Sequence, residues 1–243
     1  MQVETMSLVL RPRSMWEGCD LGVRLLQSRL RSVYPCYLAI AVPLFLLCYA
    51  TVGVASWLPA LLIWLFKPWL DRTILFALSR AVFGNRTVLA DVWAARREVW
   101  WSQFVATLTL RRLSASRSFT QPVHQLEGLA GAERVTRVRQ LALRHRGVAR
   151  MMTQAFAAAE FALFASLLSL QAWLMPRTSS FDWSEFLRNS GNGQVMVTTL
   201  AYAAAVAFLE PFYVAAGFGM YLNRRVELEA WDIEQEFRRA FAT

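Results

Sequence analysis

Lysine is almost missing from this 243-residue chain: Lys67 is the one lysine among its 26 basic residues, so the formal charge of +9 is carried by arginine. These arginines mostly flank apolar stretches, where the positive-inside effect already accounts for them, and nucleic acid is therefore not an expected partner. Cysteine is scarce as well. Cys19, Cys36 and Cys48 are odd in number and lack ligand spacing, which argues against a disulfide scaffold or zinc. The two histidines, His124 and His145, have no carboxylate or cysteine cluster at ligand spacing, so no metal is expected. The chain has no Gly-rich phosphate loop, nucleophile elbow or His-Glu-x-x-His motif, and neither an enzyme nor a cofactor is expected. Met1 to Arg13 lack the order of basic, apolar and small residues that marks a signal peptide, so the first membrane helix is expected to direct insertion itself.

Apolar and aromatic residues are abundant. Hydrophobic residues make up 56% of the chain, with 10 Trp and 16 Phe, too many for an ordinary soluble domain. No charge occurs from Ser32 to Phe66, whereas one crossing needs only about 20 apolar residues. The expected fold is all-α: a polytopic helical membrane protein with about four transmembrane helices plus interfacial amphipathic helices. Four segments follow: 1–84, an amphipathic helix and first hairpin; 85–150, a basic cytoplasmic or interfacial block; 151–225, a second hairpin; and 226–243, a cytoplasmic tail.

Local signals place the elements. Ser14-Met15-Trp16-Glu17 has the form of a capping box, and Met15, Cys19, Val23, Leu26, Leu30 and Val33 recur at helical spacing, predicting one amphipathic helix suited to an interface or to ordinary half-burial. The spans are predicted at about Pro35–Val54, Trp57–Gly84, Met151–Met175 and Val195–Leu222. The last should end on Asn223-Arg224-Arg225, with a mixed-charge helix in water beyond. Twelve arginines interrupt residues 85–150, and Trp93, Trp100, Trp101 and Phe104 predict an aromatic edge at headgroup level. The loop between the last two spans has only Arg177 and Arg188, so both termini and the middle block are expected to be cytoplasmic.

An ionisable group at bilayer depth costs about 2.5 to 3.5 kcal/mol on insertion scales, so Lys67, Asp71, Arg72, Glu160 and Glu210 each need a partner or a function. Lys67 with Asp71 is one pairing open along a helix face; Lys67 with Glu210 is the other. Pro68 and Pro211 follow Lys67 and Glu210 and should kink their helices. Lys67-Pro68-Trp69 and Glu210-Pro211-Phe212 also suggest a parallel two-fold internal repeat. Ala203, Ala207, Ala215 and Gly219 form small-x-x-x-small pairs that allow close helix packing. Arg134, Arg137, Arg144 and Arg150 are expected to contact anionic lipid, at about 1 kcal/mol each.

Leu65-Phe66-Lys67-Pro68-Trp69-Leu70-Asp71-Arg72, Leu78 to Gly84, and Glu210-Pro211-Phe212 through Asn223-Arg224-Arg225 resemble segments of a family of proteobacterial inner-membrane proteins of unassigned activity, often encoded near MoxR-type ATPases and RDD-family membrane proteins. The resemblance leaves residues 85–150 unmatched. It implies a bacterial inner (cytoplasmic) membrane location and transfers no residue role. Taken together, the expected function is a non-enzymatic membrane subunit that meets lipids and either other envelope membrane proteins or further copies of itself. The alternative is a small transporter or channel using Glu160, Glu210 and Lys67. A cavity reaching Glu210 would favour transport, and a dry, packed Glu210 would favour assembly.

Overall fold

The structure is a computed structural model, described for residues 13–102, 104, 107, 114–174 and 192–229. The polar loop after Pro176, the tail beyond Glu229 and the first twelve residues lie outside that set. Among the described residues every regular element is helical. They are α1 (Met15–Ser28), α2 (Leu30–Tyr49) with a 3-10 turn Ala50–Gly53, α3 (Leu58–Val82), α4 (Leu89–Ala94), a π-helical turn Arg97–Trp101, α5 (Arg117–Gln125), α6 (Gly131–Ala142), α7 (Arg146–Leu174) and α8 (Asn192–Glu229).

Three helical stretches, Leu30–Gly53, Arg146–Leu170 and Gly193–Glu229, are long and apolar enough to cross a membrane. Helix α3 is as long, but it carries Lys67, Asp71, Arg72 and Arg80 and falls outside those three.

Ser14 starts α1 as its spacing predicts, its Oγ accepting the Glu17 amide at 3.2 Å. The apolar periodicity through Val33 does not stay in one helix. Arg29, at φ −124° and ψ 19°, leaves the helical region, and Leu30 onward belongs to α2.

Helix α8 is the spine. Asn223 exchanges hydrogen bonds with the Arg13 backbone, Gly22 lies against Ala215, the Tyr34 hydroxyl donates to the Phe208 carbonyl at 2.8 Å, and Cys48 clusters with Ala203 and Val206. The numbers rise on one side as they fall on the other, so α1 and α2 together run antiparallel along α8. Helix α3 descends in the same direction as α8, since Ile63 joins the Ala203–Val206 cluster and Lys67 meets Glu210.

Close approach explains the glycines. A Cβ on Gly22 would sit 1.9 Å from the Ala215 carbonyl oxygen, and one on Gly219 would sit 2.2 Å from that of Gly18. Gly18-x-x-x-Gly22 thus meets Ala215-x-x-x-Gly219 with the two backbones in contact. On another face a Cβ at Gly217 would fall 2.2 Å from Ser118 Oγ, which seats α5 on α8.

Helix α8 continues past Asn223-Arg224-Arg225 to Glu229. Glu127, on the turn after α5, accepts from the Tyr221 hydroxyl at 2.6 Å and from Arg137 Nε at 2.9 Å. Arg225 and Arg137 both pair with Glu229, and Arg224 donates to the Leu141 carbonyl at 3.2 Å. Arg224 also pairs with Glu227 at 2.6 Å, so acceptors on the next turn and acceptors far away in sequence share the arginines, and the helix continues to Glu229. Trp100 also turns inward, donating to Thr73 Oγ1 at 3.0 Å and contacting Trp69, while Trp93 and Trp101 stay exposed. Helices α3 and α8 continue through Pro68 and Pro211 without interruption.

Candidate functional site

Five ionisable side chains from four helices close into one buried cluster. Lys67 Nζ of α3 lies 2.6 Å from Glu210 Oε2 of α8 and also pairs with Glu160 of α7. Arg117 enters from α5, with Nη2 2.6 Å from Glu210 Oε1 and Nε 2.9 Å from Asp71 Oδ2. Neither Asp71 oxygen makes an aligned hydrogen bond to a described residue, so its contact with Arg117 is coulombic rather than directional. Arg117 also stands 5.2 Å over the Tyr213 ring. Each carboxylate faces a cation, and Lys67 and Arg117 each serve two carboxylates.

The positions follow from the helices. Pro68 and Pro211 each follow a member of the cluster, where their missing amides interrupt the helical hydrogen-bond ladder. Gly217, two turns below Glu210, brings α5 close enough for the Arg117 guanidinium to reach both acids. Tyr213 Oη accepts from the Ser118 amide at 3.3 Å and lies 3.4 Å from Thr153 Oγ1, tying α5, α7 and α8 together beside the cluster. The buried Tyr37 hydroxyl of α2 stands in the field of Glu210 and Asp71, without a hydrogen-bond partner among the described residues.

Of the charged residues singled out in the sequence, Lys67, Glu160 and Glu210 meet directly. Asp71 pairs with Arg117 rather than with Lys67, one helical turn away on α3. Arg72 turns from the cluster and donates to the Ser102 carbonyl and, at 3.3 Å, to the Glu98 carbonyl, holding the end of the π-helical turn. Arg117 was not singled out, because it sits in a run of arginines that reads as a solvated face. The available signal was a charge count: three buried carboxylates with a single lysine need a second cation. Among the arginines expected at lipid, Arg137 is committed to Glu127 and Glu229, Arg134 is half-buried, and Arg144 and Arg150 are exposed.

A groove of about 770 Å³ leads to the cluster between α3, α7 and α8. Trp57 at the cap of α3 lines it with Leu61 and Trp64 of that helix, Phe161 and Phe164 from α7, and Tyr202 from α8; Lys67, Arg117, Glu160 and Glu210 form its charged end. Trp57 and Phe161 are 64% and 70% exposed, so the groove opens sideways to whatever surrounds the helices. Glu160, at 17% the most exposed member of the four pairs that link the cluster's acids to Lys67 and Arg117, presents its carboxylate there.

The arrangement can seat a charge or polar group at the end of an apolar cleft. Among the described residues no group of His, Cys, Asp and Glu is placed to hold a metal ion. Burial and the neighbouring Asp20 push the Cys19 thiol up to about 11, which keeps it protonated and unreactive. No protein-family model, curated protein or solved structure matches the chain.

Proposed function

We propose that the chain is a small, non-enzymatic transporter or channel of the bacterial inner membrane, crossing it with α2, α3, α7 and α8 and using Lys67, Glu160 and Glu210 in its pathway. The observation that carries this reading is the groove, which reaches Glu160 and Glu210 from outside the helix bundle. A membrane subunit is the first reading of the sequence; an open path to the buried charges reverses that order.

Dimensions support the placement. From Gly193 to Glu210, α8 rises about 26 Å, close to the ~30 Å hydrocarbon thickness. Beyond Glu210 the same helix is wrapped by α1, α5 and α6, with arginine-rich segments outside it. The cluster then lies near the inner end of the hydrocarbon, with residues 85–150 and both termini cytoplasmic. The parallel directions of α3 and α8 fit two hairpins inserted from the same side.

The test is flux in proteoliposomes holding a pH-sensitive dye, with a valinomycin-clamped potassium potential and a panel of monovalent cations applied outside. The reading predicts flux above that of empty vesicles, lost in Lys67→Met and Glu160→Gln. Equal rates with and without protein contradict it.

A second reading, a subunit that assembles with other membrane proteins or with itself, is favoured by α7. Only 6% of its apolar window is buried, and Phe161, Leu170 and Trp173 are exposed. Mass spectrometry of material purified in mild detergent separates the readings, since a stoichiometric membrane partner supports the subunit.

A further inference from the structure

The groove's wall chemistry specifies what it takes. Its lining is mainly aromatic and aliphatic, with Trp57, Trp64, Phe156, Phe161, Phe164 and Tyr202 presenting rings. Aromatic faces attract cations and do not attract anions. At the closed end Lys67 and Arg117 face Glu160 and Glu210, and of these four side chains Glu160 is the most open to the groove, 17% exposed against 2% for Glu210. Glu160 is the carboxylate nearest the groove, because Asp71 is fully buried behind Arg117 and is absent from the lining. A volume of about 770 Å³ lies within the range of roughly 300–1,000 Å³ that holds a drug-sized molecule.

We infer that the groove binds a lipophilic organic cation carrying one positive charge, its apolar body between the α3 and α7 aromatics and its charge against Glu160. The inference rests on the transport reading and names its substrate class. The charged groups around Glu160 are Lys67 from α3, Arg117 from α5 and Glu210 from α8, with Tyr202 and Tyr213 of α8 also lining the groove; Asp71 lies behind Arg117.

Tetraphenylphosphonium and tetraphenylborate have nearly the same shape and opposite charge, so they separate charge recognition from grease. The experiment measures binding of each to the purified full chain in nanodiscs, by equilibrium dialysis with protein-free nanodiscs as the reference. Saturable binding of tetraphenylphosphonium, roughly tenfold or more tighter than of tetraphenylborate, is expected. Glu160→Gln should weaken it about tenfold and Glu160→Asp should retain most of it, while Trp64→Leu should weaken it less. Glu160→Gln leaves Lys67 paired with Glu210, and an unchanged size-exclusion profile checks its fold. Equal affinities for the two ions, uptake no greater than in protein-free nanodiscs, or unchanged affinity in a folded Glu160→Gln protein overturns the inference. Binding without flux in the proteoliposome assay refutes transport but keeps the ligand class. Flux of small inorganic cations without tetraphenylphosphonium binding does the reverse.

Discussion

The two halves of α8 differ although one continuous helix joins them. From Gly193 to Leu209 a large share of its residues is exposed or half-exposed, Met196, Leu200 and Phe208 among them; from Glu210 to Leu222 nearly every residue is buried. The first half packs against α2, α3 and α7 without being enclosed by them, and its exposed side chains are apolar. The second is enclosed by α1, α5 and α6 and contains Gly217 and Gly219, where other backbones touch it. Composition does not explain the contrast, since the exposed half is the more apolar of the two and the buried half contains Glu210 and Pro211. What separates them is whether the apolar surface is spent on protein or left for another apolar medium.

The sharpest way to break this contrast is to add volume on each side of it. Gly22→Leu should abolish folding, since even its Cβ collides with the Ala215 carbonyl; the readout is the loss of monodisperse protein on size exclusion in detergent. Gly193→Ala, with open space around it, should leave that profile unchanged.

Next in size is the boundary itself. Glu210→Leu removes the carboxylate shared by Lys67 and Arg117, and by analogy with broken buried pairs it should cost about 3–5 kcal/mol, read as a lower midpoint in a detergent thermal-denaturation assay. Adding Lys67→Leu should recover only part of the loss, because Glu160 then lacks its lysine. Full recovery in the double mutant would mean that Glu160 and Arg117 contribute nothing to the cluster.

The ion pairs at the far end of α8 should matter less. Arg137→Ala breaks contacts with Glu127 and Glu229 that are partly open to solvent, so a loss of at most about 1 kcal/mol is expected in the same assay. Leu200→Ala, in the exposed half, should change the midpoint by no more than about 0.5 kcal/mol.

Legibility in the sequence follows the same boundary. Lys67 and Glu210 were readable as partners because each stands alone in an apolar surround, where an uncompensated charge is costly. The Ala215–Gly219 pair was readable as a packing face for the same local reason. Arg117 was not, since nothing nearby distinguishes it from the other arginines of residues 85–150. Nor were the distant contacts of Arg224 and Arg225 with Leu141 and Glu127, more than eighty residues earlier, although their local partners Glu227 and Glu229 lie one turn on. Gly18 and Gly22 were passed over because the apolar stripe of α1 reads equally well as a face for lipid. Local cost is written locally, whereas the identity of a distant partner is not.

On the proposed placement the exposed half of the molecule lies in hydrocarbon while the basic segments lie in water. Nitroxide labels at Leu200 and Phe161, and at Val135 and Arg144, in protein reconstituted into bilayers test it by power-saturation spectroscopy with oxygen and a water-soluble nickel chelate. The first pair should be relaxed by oxygen and shielded from nickel, and the second pair should show the opposite. Nickel access at Leu200 and Phe161 equal to that at Val135 and Arg144 would contradict the account.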